Sequence, residues 1–81
     1  MDHFEVRLFA SFADLFGAPH LNLALPRGAT VEQLTSAIQA LPGGVRLPPK
    51  LVVAVNHEYV PPQTVINAGD EIALIPPVAG G

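Results

Sequence analysis

Cysteine is absent from this sequence. Its absence removes a disulfide framework, a thiolate nucleophile and a thiolate metal site together, so any sulfur the chain handles has to be carried on another group. Basic residues are scarce as well. Arg7, Arg27, Arg46 and Lys50 are scattered along the chain, and the formal net charge is -3. A nucleic-acid footprint needs clustered Lys and Arg, so nucleic acid is not an expected partner. No apolar run reaches the ~18 residues of a membrane span, and Met1-Asp2-His3 is not the basic start of a signal peptide. No membrane partner is expected, and the expected location is the cytoplasm. His3, His20 and His57 fall on different predicted elements without paired ligands, which argues against a metal site. Gly43-Gly44 lacks the lysine and the spacing of a phosphate loop. No repeat or low-complexity segment occurs.

What remains is 81 residues, 49% hydrophobic and 14% charged, the composition of one small domain whose single core must be well packed. His3 to Ala10 alternates, with Phe4, Val6, Leu8 and Ala10 on one side, which predicts a half-buried strand. Phe9 is the exception, an aromatic on the polar side. Ser11 to Phe16 predicts a short helix, with Ser11 as N-cap and Gly17 as its stop. Leu21, Leu23 and Leu25 alternate in a second strand, and the short connection makes the two strands antiparallel neighbours.

Thr30-Val31-Glu32-Gln33 has the capping-box pattern and opens the clearest helix. Val31, Leu34, Ala37, Ile38 and Leu41 form its apolar stripe, with Glu32, Gln33, Ser36 and Gln39 outside. Pro42-Gly43-Gly44 ends it, and Val45 to Lys50 reads as a loop. Leu51 to Val55 is apolar on both faces, the pattern of a central strand covered on both sides. Asn56-His57 turns into a short strand, Glu58 to Val60. Asn67 to Glu71 is turn chemistry, and Asp70-Glu71 is read as part of that turn, not as an acid pair. Ile72 to Ile75 is the last strand.

The order of elements predicts an α+β domain, one main helix packed across one mixed sheet, over residues 1–75. Residues 76–81, Pro76-Pro77-Val78-Ala79-Gly80-Gly81, read as an extended, flexible tail, because a proline pair cannot continue a ladder. Taken alone, such an end is most simply a frayed terminus. Its alternative is a reactive arm whose glycines enter a channel too narrow for a Cβ. Apolar residues on both sides of the last strand, together with Phe9, predict an exposed apolar patch, the mark of a binding surface. The alternative is that the short helix and the loops cover it.

Arg7-Leu8-Phe9-Ala10, Gly28-Ala29-Thr30-Val31, Val53-Ala54-Val55-Asn56, Gly69-Asp70-Glu71-Ile72-Ala73 and the Pro76 to Gly81 ending together resemble the MoaD/ThiS group of ubiquitin-like, β-grasp sulfur carriers, in particular small subunits of molybdopterin synthase. The resemblance spans nearly the whole chain in the right order. It implies a β-grasp fold with a flexible Gly-Gly tail, and a Gly81 carboxylate that is adenylated by a ubiquitin-activating-like enzyme using ATP. A sulfur donor enzyme then converts it to a thiocarboxylate. That sulfur passes to cyclic pyranopterin monophosphate on the synthase large subunit, in an expected hetero-tetramer, building the molybdopterin dithiolene. Gly81 is then the covalent carrier and Gly80 the spacer, with Phe9, Leu74, Pro76, Pro77, Val78 and Ala79 facing the partner. No bound cofactor is expected, and the catalytic groups are expected on the partner. Carriers for thiamin thiazole synthesis or tRNA thiolation, and a ubiquitin-like protein modifier, are the alternatives, beside a plain interaction domain with an inert tail.

Overall fold

The computed structural model of the protein describes residues 1–48 and 50–76. Strand β1 (Asp2–Leu8) is followed by helix α1 (Ala10–Phe16), strand β2 (His20–Leu25) and helix α2 (Val31–Gln39). A 3-10 turn (Gly44–Arg46) then precedes strands β3 (Val52–Val55), β4 (Glu58–Val60) and β5 (Ile72–Ile75). The five strands form one sheet in the order β2-β1-β5-β3-β4. Only the β1 and β5 pairing is parallel, and the other pairs are antiparallel. This is the mixed sheet expected from the sequence.

The alternation in β1 places Phe4, Val6 and Leu8 inward, each at most 4% exposed. The strand stops at Leu8, however, and does not run to Ala10. Phe9 takes the N-cap position of α1 without a side-chain cap, and its carbonyl accepts from the Phe12 amide at 3.0 Å. Ala10 turns to a φ of 47° and Ser11 lies inside the first turn. The helix starts early because Phe12 must reach the core, where it is 5% exposed. Gly17 ends α1 as predicted, in the left-handed region at φ 68°, which costs glycine little.

Helix α2 begins with both halves of the capping box. The Thr30 hydroxyl accepts from the Gln33 amide at 3.3 Å, and the Gln33 side chain accepts from the Thr30 amide at 2.8 Å. Two further amides of the first turn find carbonyls of the 61–66 segment, Val31 on Thr64 and Glu32 on Pro62, both at 2.9 Å. The donors a helix start normally leaves without partners are thereby used. Val31, Leu34 and Ile38 are buried against Phe4, Val6, Val53, Ile72 and Leu74 in one cluster. Gln39, expected outside, is half-buried and donates to the Pro48 carbonyl at 3.3 Å. Gly44 folds under the end of α2, where an added Cβ would stand 2.4 Å from the Ile38 carbonyl oxygen, so close an approach that only glycine serves there.

The strand order also differs from expectation. The central strand is β5, and β3 lies second from the edge. Strand order depends on pairing between segments far apart in the chain, which apolar content does not encode.

Candidate functional site

Because side chains alternate along a strand, the face opposite α2 can be laid out from the pairing. Arg7 stands beside Ala73, Ala73 beside Ala54, and Ala54 beside Tyr59. That row has two methyl groups in the middle and two large side chains at its ends. A trough of about 230 Å³ results, lined by these four residues with Phe9 and Ile75 toward one end and His57 and Glu71 toward the other. At the first end Ile75 pairs with Val52, and Phe9 follows Leu8, which pairs with Leu74. Phe9, Ile75 and Val52 thus make an apolar row at the point where the chain leaves β5. Phe9 is 41% exposed, Val52 49% and Tyr59 75%. The short helix does not close this face, because α1 turns Phe12 into the cluster under α2.

Polar contacts frame the trough. The Arg7 guanidinium carbon lies 5.7 Å from the centre of the Phe9 ring, within cation-π range. His57 Nε2 is 2.9 Å from Glu71 Oε2. Asn56 joins two turns: its Nδ2 donates to Asp70 Oδ1 at 3.1 Å, its Oδ1 accepts from the Glu71 amide at 3.0 Å, and its own amide donates to the Glu71 carbonyl at 2.7 Å. Asp70 also accepts from the Asn67 amide at 2.7 Å. Asn56 and His57 take φ of 52° and 70°, the two-residue hairpin turn that Asn favours. Among the described residues no group of three His, Asp or Glu side chains could hold a metal ion, and no helix is long and apolar enough to cross a membrane.

Of the sequence-predicted site residues, Phe9 lies on the open face, and Pro76 follows β5 half-buried. Leu74 does not belong there. It is fully buried in the core, since its register with Leu8 and Val53 turns it toward α2; Ala73 and Ile75 are the β5 residues on the open face. Pro77, Val78, Ala79, Gly80 and Gly81 lie outside the described residues. The sequence does not reveal Arg7, Ala54, Ala73 and Tyr59 as one row. Each is ordinary in its own segment, and only the pairing of four strands brings them together.

The ThiS family model matches residues 6–81. The molybdopterin synthase sulfur carrier subunit of Arabidopsis thaliana is 35% identical over 78 residues, covering 95% of this chain and 81% of that protein. Among solved structures, the H. volcanii small archaeal modifier protein 1 superposes with a TM-score of 0.81 at 30% identity, covering 96% of this chain and 100% of that one. A chain from the protein-protein complex of subunits 1 and 2 of the Helicobacter pylori molybdopterin-converting factor has a TM-score of 0.69 at 24% identity, covering 98% of this chain and 99% of that one. At that identity the likeness speaks to the fold alone. The shared architecture is the ubiquitin-like β-grasp.

Proposed function

The chain belongs to the ThiS family, and on that premise we propose that it is the sulfur carrier subunit of a molybdopterin synthase. The observation that carries the reading is its 35% identity, over 95% of its length, to a relative of that name. The open face supports it. The chain leaves β5 at Pro76 beside the Phe9–Ile75–Val52 row, so a large subunit seated on that row also meets Pro76.

The chemistry assigned to Gly81 follows from its carboxylate, which is ionised at neutral pH and therefore a poor electrophile. Attack of a carboxylate oxygen on the α-phosphorus of ATP, with pyrophosphate leaving, gives an acyl-adenylate. A sulfur donor enzyme then supplies sulfur at the sulfide level, which attacks the acyl carbon, displaces AMP and leaves a thiocarboxylate. The large subunit would receive that group and direct its sulfur to cyclic pyranopterin monophosphate, the acyl carbon regaining an oxygen from water so that Gly81 ends as a carboxylate again. In this reading ATP is consumed by a ubiquitin-activating-like partner in the cytoplasm, and Gly80 spaces the reacting group from Ala79.

The test extends the chain by one residue after Gly81. That moves the carboxylate by ~3.5 Å and leaves an inert amide in its place. Chemistry that depends on placement to about 1 Å should then fail while the domain stays folded. Deleting Gly81 should fail likewise, and Gly80→Val should fail through its added side chain alone. The readout is conversion of the pyranopterin precursor by carrier and large subunit after adenylation and sulfuration. Near wild-type conversion by the extended form, with the extra residue still attached by mass, would sink the terminal-carboxylate chemistry.

A second reading, as a ubiquitin-like protein modifier, is favoured by the 30% identity to the H. volcanii modifier. It predicts a ladder of conjugates joined through lysine, visible on a blot of cells expressing a tagged chain.

A further inference from the structure

Docking of any partner over the trough covers Arg7, and among the described residues no carboxylate is paired with it. We propose that the partner seated on this face brings an Asp or Glu carboxylate to Arg7, next to an apolar side chain that fills the alanine-floored trough. The inference rests on the reading of the chain as a carrier subunit and adds to it the chemistry of the large subunit's contact.

Arg7 forms one wall of the trough and lies over the Phe9 ring, at the apolar end. The contacts between basic and acidic side chains among the described residues are Arg27 with Asp2 and His57 with Glu71. Neither uses Arg7. Three carboxylates, Glu5, Asp70 and Glu71, line a neighbouring hollow together with Arg7. None of them forms an ion pair with it: Glu5 lies two residues back along β1, Asp70 accepts from the Asn56 side chain and the Asn67 amide, and Glu71 stands 2.9 Å from His57. None of Arg27, Arg46 and Lys50 lines the trough. Among the described residues the trough therefore carries one Arg or Lys, without an ionic partner, set against an aromatic ring and two alanines.

In the free chain, water satisfies that guanidinium. A docked partner displaces the water, and a charge buried without a counter-charge opposes binding by more than the surrounding apolar contact returns. A carboxylate answers the planar guanidinium with two parallel hydrogen bonds, a match that neither a hydroxyl nor an amide provides. The trough fixes the position of that carboxylate. An apolar side chain resting on Ala54 and Ala73 has Tyr59 on one flank and Arg7 on the other, so the acid sits on the β1 side of that anchor. A surface presenting Lys or Arg at the same place is repelled, which lets the face choose among partners.

The experiment measures binding of the full chain to the purified large subunit of the same organism by titration calorimetry, with melting curves confirming the fold. Arg7→Glu is expected to weaken binding on the order of 100-fold, through repulsion and an unpaired carboxylate at the contact. Arg7→Lys, which keeps the charge and loses the fork, should lose about ten-fold or less. One charge reversal among the large subunit's Asp and Glu residues should restore binding to the Arg7→Glu chain while weakening binding to wild type. If Arg7→Glu binds within about three-fold of wild type while Phe9→Ala weakens the complex, the partner sits here without a carboxylate at Arg7, and the proposal is overturned. If neither change matters, the partner uses another surface; the proposal falls and the carrier reading still stands on sulfur transfer. Absence of both a complex and sulfur transfer with the wild-type chain overturns the carrier reading itself.

Discussion

Both faces of the sheet carry apolar residues on β3 and β5, yet they are built differently. Toward α2, Phe4, Val6, Leu8, Val53, Val55, Ile72 and Leu74 are at most 8% exposed, and bulky side chains from three strands meet those of the helix. On the other face the middle of the sheet carries Ala54 and Ala73, with Arg7 and Tyr59 rising at the sides and Val52 and Tyr59 exposed. One face is convex in its side chains and filled from within the chain. The other is hollow, and nothing among the described residues fills it. Hydrophobicity in a strand thus has two sources here, closing a core and meeting another molecule, and neighbouring residues of β5 separate them.

The largest expected effect tests that separation within one strand. Leu74 is fully buried against α2, whereas Ile75, the next residue, is half-buried on the open face. Leu74→Ala should destabilise the domain by ~2–5 kcal/mol, the range for a large core side chain cut to a methyl group. Ile75→Ala should cost on the order of 1 kcal/mol and act mainly on binding to the large subunit. Urea melts of both variants decide the matter: equal losses would mean that the open face supports the fold as the core does.

An intermediate effect is expected at the rim where the two faces meet. Asn56 holds the turn before β5 through two side-chain hydrogen bonds and sits at φ 52°. Asn56→Ala removes both bonds and places a less tolerant residue in the left-handed region, for an expected loss of about 1–3 kcal/mol. Asn56→Gly keeps the backbone at ease and loses only the bonds, so it should be the milder change in a thermal melt. Identical melting temperatures for Asn56→Ala and wild type would show that β5 keeps its position without this clamp.

Much of the fold was readable in the sequence because its signals are local. The alternation of Phe4, Val6 and Leu8, the Thr30 capping box, the Leu34 and Ile38 stripe and the Asn56-His57 turn each need only a few neighbouring residues. What could not be read depends on distant pairing. In Ile72-Ala73-Leu74-Ile75 every residue is apolar, so alternation cannot say which pair points inward. The register of Leu74 with Leu8 and Val53 decides it. The same holds for the trough, since Ala54 and Ala73 become a floor only when β3 pairs with β5. Asn56 reads as a turn residue because its side-chain partners, Asp70 and Glu71, lie 14 and 15 positions further on. Ser11 failed as a cap because the burial of Phe12 set the start of α1 instead.

The smallest expected effect lies on the open face itself. His57 and Glu71 are 2.9 Å apart, but their side chains are 81% and 49% exposed. A contact so well hydrated contributes about 0–1 kcal/mol, and whatever part of it is electrostatic is weakened further by salt. Glu71→Gln preserves the shape of the side chain and both backbone bonds with Asn56, the amide to Oδ1 and the carbonyl to the Asn56 amide. The change should therefore alter stability by less than about 0.5 kcal/mol, and the difference should shrink as salt is raised. Urea melts at low and high salt measure both quantities. A loss as large as that of Asn56→Ala, persisting in high salt, would mean that a polar contact at the trough holds the sheet together, and the open face would then belong to the fold as much as to a partner.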